Sequence, residues 1–100
     1  MAELVEVELF DGRLIYAFDG RVLEIFGDVQ VTVGKLDAMR IHVEHLTVKT
    51  AEPDKKGIRK VVFVGLTRYE KQVQVDEDGW QALQPLLASL RAAGAAFDDA

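Results

Sequence analysis

Glu3-Leu4-Val5-Glu6-Val7-Glu8-Leu9-Phe10-Asp11-Gly12-Arg13-Leu14-Ile15-Tyr16-Ala17-Phe18-Asp19-Gly20-Arg21-Val22-Leu23-Glu24-Ile25-Phe26 is the stretch on which the fold turns. Across residues 3–10, Val5, Val7 and Leu9 fall on one side and Glu6 and Glu8 on the other, the period of a half-buried strand. Asp11-Gly12 follows, and Asp-Gly favours a two-residue turn with positive φ at both positions, so 13–18 should return antiparallel. A second Asp-Gly, Asp19-Gly20, leads into 21–26. Two-residue loops at both places set Phe10 opposite Arg13 and Phe18 opposite Arg21. Val5, Val7 and Leu9 then lie beside Phe18, Tyr16 and Leu14, and Leu14 and Tyr16 beside Ile25 and Leu23, all on one face. A slip of one residue would carry Glu6 and Glu8 into the core, so the phase is well specified.

Beyond Gly27-Asp28, a three-residue loop or a bulge returns Val31 and Val33 to the core, whereas a two-residue loop turns Val29, Val31 and Val33 outward. The longer loop is expected. Residues 34–38 interrupt the pattern, Met39, Ile41 and Val43 resume it, and a bulge near Glu44-His45 would account for the change of phase to Leu46 and Val48. Residues 51–57 read as an exposed hairpin loop leading to a strand over 58–66, with a last strand over 70–75. Asp76 or Asp78 can cap a helix starting near Gly79, with Gln81 at capping-box spacing from Asp78. Trp80, Leu83, Leu87 and Leu90 recur at helical spacing, a stripe that covers an open-ended β core, with Trp80 as a core plug. Pro85 predicts a kink or a loosened first part, Gly94 an end, and 95–100 a mobile tail.

One hundred residues, 49% hydrophobic and 29% charged, suit a single domain, here 1–94. Acidic residues near the N-terminus and dispersed apolar runs point to a soluble cytoplasmic chain. The absence of cysteine removes disulfides, thiolate nucleophiles and sulfur-bound zinc. A formal net charge of −5 opposes broad attraction to nucleic acid or to an anionic membrane, so neither is an expected partner.

The chain resembles the pleckstrin-homology-like (PH-like) domains, particularly the small bacterial ones, over nearly all of residues 5–90. The resemblance rests on the meander through Leu14-Ile15-Tyr16-Ala17-Phe18-Asp19-Gly20-Arg21-Val22-Leu23-Glu24-Ile25-Phe26, on Val31-Thr32-Val33-Gly34-Lys35-Leu36-Asp37-Ala38-Met39, and on Trp80 in the closing helix. It implies an α+β fold of two near-orthogonal antiparallel sheets, about seven strands in all, capped by one C-terminal helix. It also implies a binding platform without catalysis. Lipid-binding members gather Lys and Arg around the first hairpin loop. Here that loop is Asp11-Gly12 with only Arg13 beside it, so phosphoinositide recognition does not carry over.

The candidate surfaces are therefore for binding. The outward face of the meander collects Phe10, Ile15, Val22 and Phe26, with Phe10, Arg13 and Phe26 in one row, a patch suited to self-association or a protein partner. The alternative is an anionic headgroup or small ligand held by Lys55, Lys56, Arg59 and Lys60, although charged hairpin loops commonly serve only to stay solvated. His42, Glu44 and His45 form a loose set of metal-capable groups that reads more simply as an exposed polar row. Thr32, Thr47, Thr50, Thr67 and Ser89 lack an evident base, and no glycine-rich phosphate loop occurs. No catalytic, metal or cofactor-binding residue is assigned, and no cofactor is expected.

Overall fold

The computed structural model describes residues 4–10, 12–27, 37–66 and 70–99. Strands β1 (Val5–Leu9), β2 (Leu14–Phe18), β3 (Val22–Gly27) and β4 (Asp37–His42) form one sheet in that order. Strands β5 (Thr47–Thr50), β6 (Arg59–Val64), β7 (Glu70–Val75) and β8 (Ala96–Asp99) form a second, ordered β7-β6-β5-β8, and α1 (Glu77–Ala92) lies between β7 and β8 in the chain. Among the described residues every strand pairing is antiparallel except β5 with β8. The protein is α+β, with two mostly antiparallel sheets and one C-terminal helix.

The first hairpin has the expected register, Val5 opposite Phe18, Val7 opposite Tyr16 and Leu9 opposite Leu14. The second is displaced by two residues: Phe18 lies opposite Leu23 and Tyr16 opposite Ile25, not Phe18 opposite Arg21. The cause is Asp19, whose carboxylate accepts from the amides of Arg21 and Val22, both at 2.9 Å, moving the apex to Gly20-Arg21. Those two bonds hold the exposed Asp19 carboxyl below the usual carboxylate range. Because the displacement is an even number of residues, the buried face is unchanged. Val7, Leu9, Leu14, Tyr16, Phe18, Leu23 and Ile25 are all buried.

The expected strand through Val29, Val31 and Val33, and the loop before it, lie outside the described residues. Strand β4 begins at Asp37, inside the segment read as an interruption. The phase change comes from a single 3-10 turn, Val43–His45, instead of a bulge. His42 Nδ1 accepts from the Glu44 amide (3.2 Å) at its start, and the Val43 amide donates to the Arg21 carbonyl (2.7 Å), tying the turn to the start of β3. Val43 is buried, and Leu46 and Val48 enter the core of the second sheet.

Helix α1 starts two residues earlier than expected because Asp76 is the cap, its carboxylate accepting from the Gly79 amide at 2.9 Å. Gln81 donates to Glu77 (3.0 Å) instead of forming a box with Asp78. The helix is unbroken through Pro85. That ring is exposed, so the carbonyl it leaves without a partner sits on the wet side, where water can serve it. Leu83, Leu86, Leu87 and Leu90 are the buried stripe, and Trp80 is only partly buried at its edge. The core plug is thus leucine, with Trp80 left beside it. Near the helix start, a Cβ on Gly79 would come within 2.9 Å of Val75 Cβ, so only glycine lets α1 sit this close to β7.

The segment expected to be a tail instead returns to the protein. Gly94, with φ of 98°, reverses the chain, the Ala95 amide donates to the Leu90 carbonyl (3.1 Å), and Ala96 donates to Leu46 (3.1 Å). Residues 96–99 then pair in parallel with β5. The two sheets share one core, joined where the Tyr16 ring lies 5.1 Å from that of Phe63. Burial pushes the Tyr16 hydroxyl pKa far above its ordinary value.

Candidate functional site

Three surfaces carry side chains arranged for contact. The first is the outer face of the β1–β4 sheet. Register sets Glu8, Ile15 and Phe26 in one row, Glu6, Ala17, Glu24 and Arg40 in the next, and Val22 opposite His42 beyond that. Ile15, Ala17 and Val22 are half-buried and Phe26 is 41% exposed. The two-residue displacement at Asp19 therefore puts Phe26 against Ile15, not against Arg13 as expected. Arg40 reaches Glu24 at 3.8 Å, a pair open to water. Phe10, 43% exposed, stands one row away and has φ of 55°. That left-handed backbone costs a bulky residue about 1–2 kcal/mol. Phe10 also borders a hollow formed with Ile58, Val75 and Ala82, near the start of α1.

The second surface is the basic loop. Asp54 organises it, accepting at 2.8 Å from the Lys56 amide and 2.9 Å from that of Ile58, while Lys55 and Lys56 project at its exposed tip. Arg59 and Lys60 are successive strand residues and leave on opposite faces of the sheet. Lys60 borders the outer face with Lys49 and Asp98, whereas Arg59 goes inward to the helix. The four cations proposed as one anion site are divided among three places.

The third surface was not visible from sequence. An open groove of about 630 Å³ lies between α1 and the ends of β5, β6 and β8, with Arg59, Trp80, Leu87, Arg91 and Phe97 among its walls. The Arg59 guanidinium sits 4.5 Å from the Trp80 ring centroid and that of Arg91 sits 4.0 Å from the Phe97 ring. Such stacking holds a planar cation in place over each ring. The sequence marks Trp80 and Leu87 as parts of a core stripe and Arg59 as one of the cations of the basic loop, and it puts Phe97 in the expected tail.

His42 and His45 rings are 6.1 Å apart, with His42 Nδ1 occupied by the Glu44 amide. Among the described residues no three metal-capable side chains converge. No helix among them is long and apolar enough to cross a membrane. No family model matches the chain, and no curated protein or solved structure is significantly similar to it.

Proposed function

We propose that this chain is a non-catalytic binding module of the PH-like class that acts through protein contacts, first of all by pairing with a second copy through the outer face of the β1–β4 sheet. The observation that carries this reading is the opposition of Ile15 and Phe26 on the two central strands of that face, between a strand that carries Glu6 and Glu8 and one that carries Arg40. Glu6 and Glu8 line β1, and Arg40 lines β4. A two-fold axis running along the strands between β2 and β3 exchanges those columns. It sets Ile15 of one copy on Phe26 of the other and brings Glu6 to Arg40, so the surface is complementary to itself. The element order, a four-stranded meander sheet followed by a second sheet and a closing helix, supports the PH-like assignment; β8 is an addition to that pattern.

The test is size-exclusion chromatography with scattering detection on the wild type, Ile15→Glu/Phe26→Glu and two charge variants. The apolar double variant should be monomeric and still folded, with a lowered melting temperature because it puts two new carboxylates in one row with Glu8. Glu6→Arg alone should weaken association, and Glu6→Arg/Arg40→Glu should restore it. Failure of the double swap to restore association would reject the axis, and no association in any variant would reject the reading.

A further inference from the structure

Arg59 is a cation that the fold leaves short of acceptors. It is half-buried, its Nε is buried without a hydrogen-bond partner, and its Nη1 has only the Ala51 carbonyl, at the long distance of 3.4 Å. Among the described residues no carboxylate forms an ion pair with it. The Trp80 ring, 4.5 Å away, meets the flat face of the guanidinium and does nothing for the in-plane Nε–H. Taking such an ion out of water with so few acceptors is costly, and a fold that needed only a cover for Trp80 could use an apolar residue of the same length. A buried donor left unmet in this way calls for an explanation, and a bound anion supplies one.

Arg59 forms one wall of the open groove of about 630 Å³ between α1 and the second sheet, a volume within the range of small-molecule sites. Its charge is delocalised over the planar group, so an anion at the Nη edge offsets the desolvation of the whole ion, the covered Nε included. Two features of the groove select among anions. Leu87 and Ala88 continue the wall with apolar surface, two helical turns beyond Trp80 and roughly 10 Å along the axis, a span that a medium-length hydrocarbon chain covers. Glu52, exposed in the same wall, repels a second negative charge. A bare or multiply charged anion would therefore leave the apolar wall uncovered and meet repulsion.

We propose that this groove binds a small apolar monocarboxylate, its carboxylate accepting from the Nη edge of Arg59 and its hydrocarbon body lying along α1 on Ala88 and the exposed margin of Leu87. The planar fork of Arg59, held flat by Trp80, suits a carboxylate, and one charge is all that the site asks for. This site is separate from the proposed face between copies, so either can fail alone.

Trp80 is the only tryptophan of the chain, so its emission reports on the groove directly, with calorimetry as a second readout. The probes are octanoate, its neutral counterpart octanamide, acetate and inorganic phosphate, titrated at low ionic strength. Octanoate should shift Trp80 emission and bind about tenfold more tightly than octanamide, which lacks the charge, and than acetate, which lacks the apolar body. Arg59→Met should stay folded and bind octanoate no better than octanamide. Arg59→Lys should keep only part of the preference, and Glu52→Gln should tighten octanoate binding. Equal binding of octanoate and octanamide, an unchanged preference in Arg59→Met, or no binding of any probe overturns the proposal. Acetate binding as tightly as octanoate, or phosphate binding more tightly, overturns it in favour of a simple anion site. Should Arg59→Met fail to fold, Arg59→Lys decides: an undiminished preference there overturns the role given to the guanidinium.

Discussion

The two sheets, each of four strands among the described residues, are assembled by different means. The β1–β3 part of the first sheet is joined by tight hairpins, each strand meeting its sequence neighbour. The second sheet is completed only after α1, when β8 returns to pair in parallel with β5. The first arrangement can be specified by alternation and turn residues; the second depends on a helix being in place. The second sheet should therefore respond to changes at the C-terminal end of α1 that leave the β1–β3 register intact.

The largest effect should come from Leu86→Ala. Leu86 is fully buried in the core that both sheets share, and α1 packs chiefly on β1, with lesser contact to β2 and β7. A loss of about 2–5 kcal/mol in urea unfolding is expected, felt by both sheets together. Unfolding of the second sheet alone would show that the helix serves only that half.

Alkaline titration tests the joint between sheets at Tyr16 and Phe63. The folded state keeps the Tyr16 proton well above pH 10, where the unfolded chain releases it, so the unfolded state is favoured as pH rises. Stability from this group is intact below about pH 10 and should then fall by about 1.4 kcal/mol per pH unit until the folded state ionises. A flat profile between pH 10 and 12 in Tyr16→Phe, but not in the wild type, assigns the effect.

Smaller and more local effects are expected at the two ends of α1. Gly79→Ala should cost about 1–2 kcal/mol despite alanine's better helix propensity, because its Cβ meets Val75 Cβ, which cannot swing away. Gly94→Ala meets no atom within 4 Å and acts only through its φ of 98°. It should cost about 1 kcal/mol and accelerate amide exchange in 96–99 while leaving β1–β3 protected. Equal acceleration in both sheets would dissolve the distinction between them.

The same division governs what was legible in the sequence. Val5, Val7 and Leu9 against Glu6 and Glu8 revealed the buried face, and parity preserved it even though Asp19 moved the second turn by two residues. The cap at Asp76, the leucine stripe and the end at Gly94 were likewise local signals. What could not be read were pairings across the chain. Ala95-Ala96-Phe97-Asp98-Asp99 has no alternation of its own, and only the position of β5 makes it a strand. Arg59 looked like one of four loop cations because nothing in its neighbours announces Trp80, and Trp80 looked like core because apolar spacing does not distinguish Leu86 from the rim. On the outer sheet face the members were legible but not their neighbours: Phe26 meets Ile15 only because of the Asp19 turn.

The most direct test of the account is the weight-average mass of the wild-type chain across protein concentration at low and at high salt. Pairing through Ile15 and Phe26 predicts a rise from the 11.1 kDa monomer toward twice that mass, persisting in high salt because the centre of the contact is apolar and only its Glu6–Arg40 margin is screened. A mass of 11.1 kDa at every concentration, or a larger species that dissolves entirely in high salt, would contradict it.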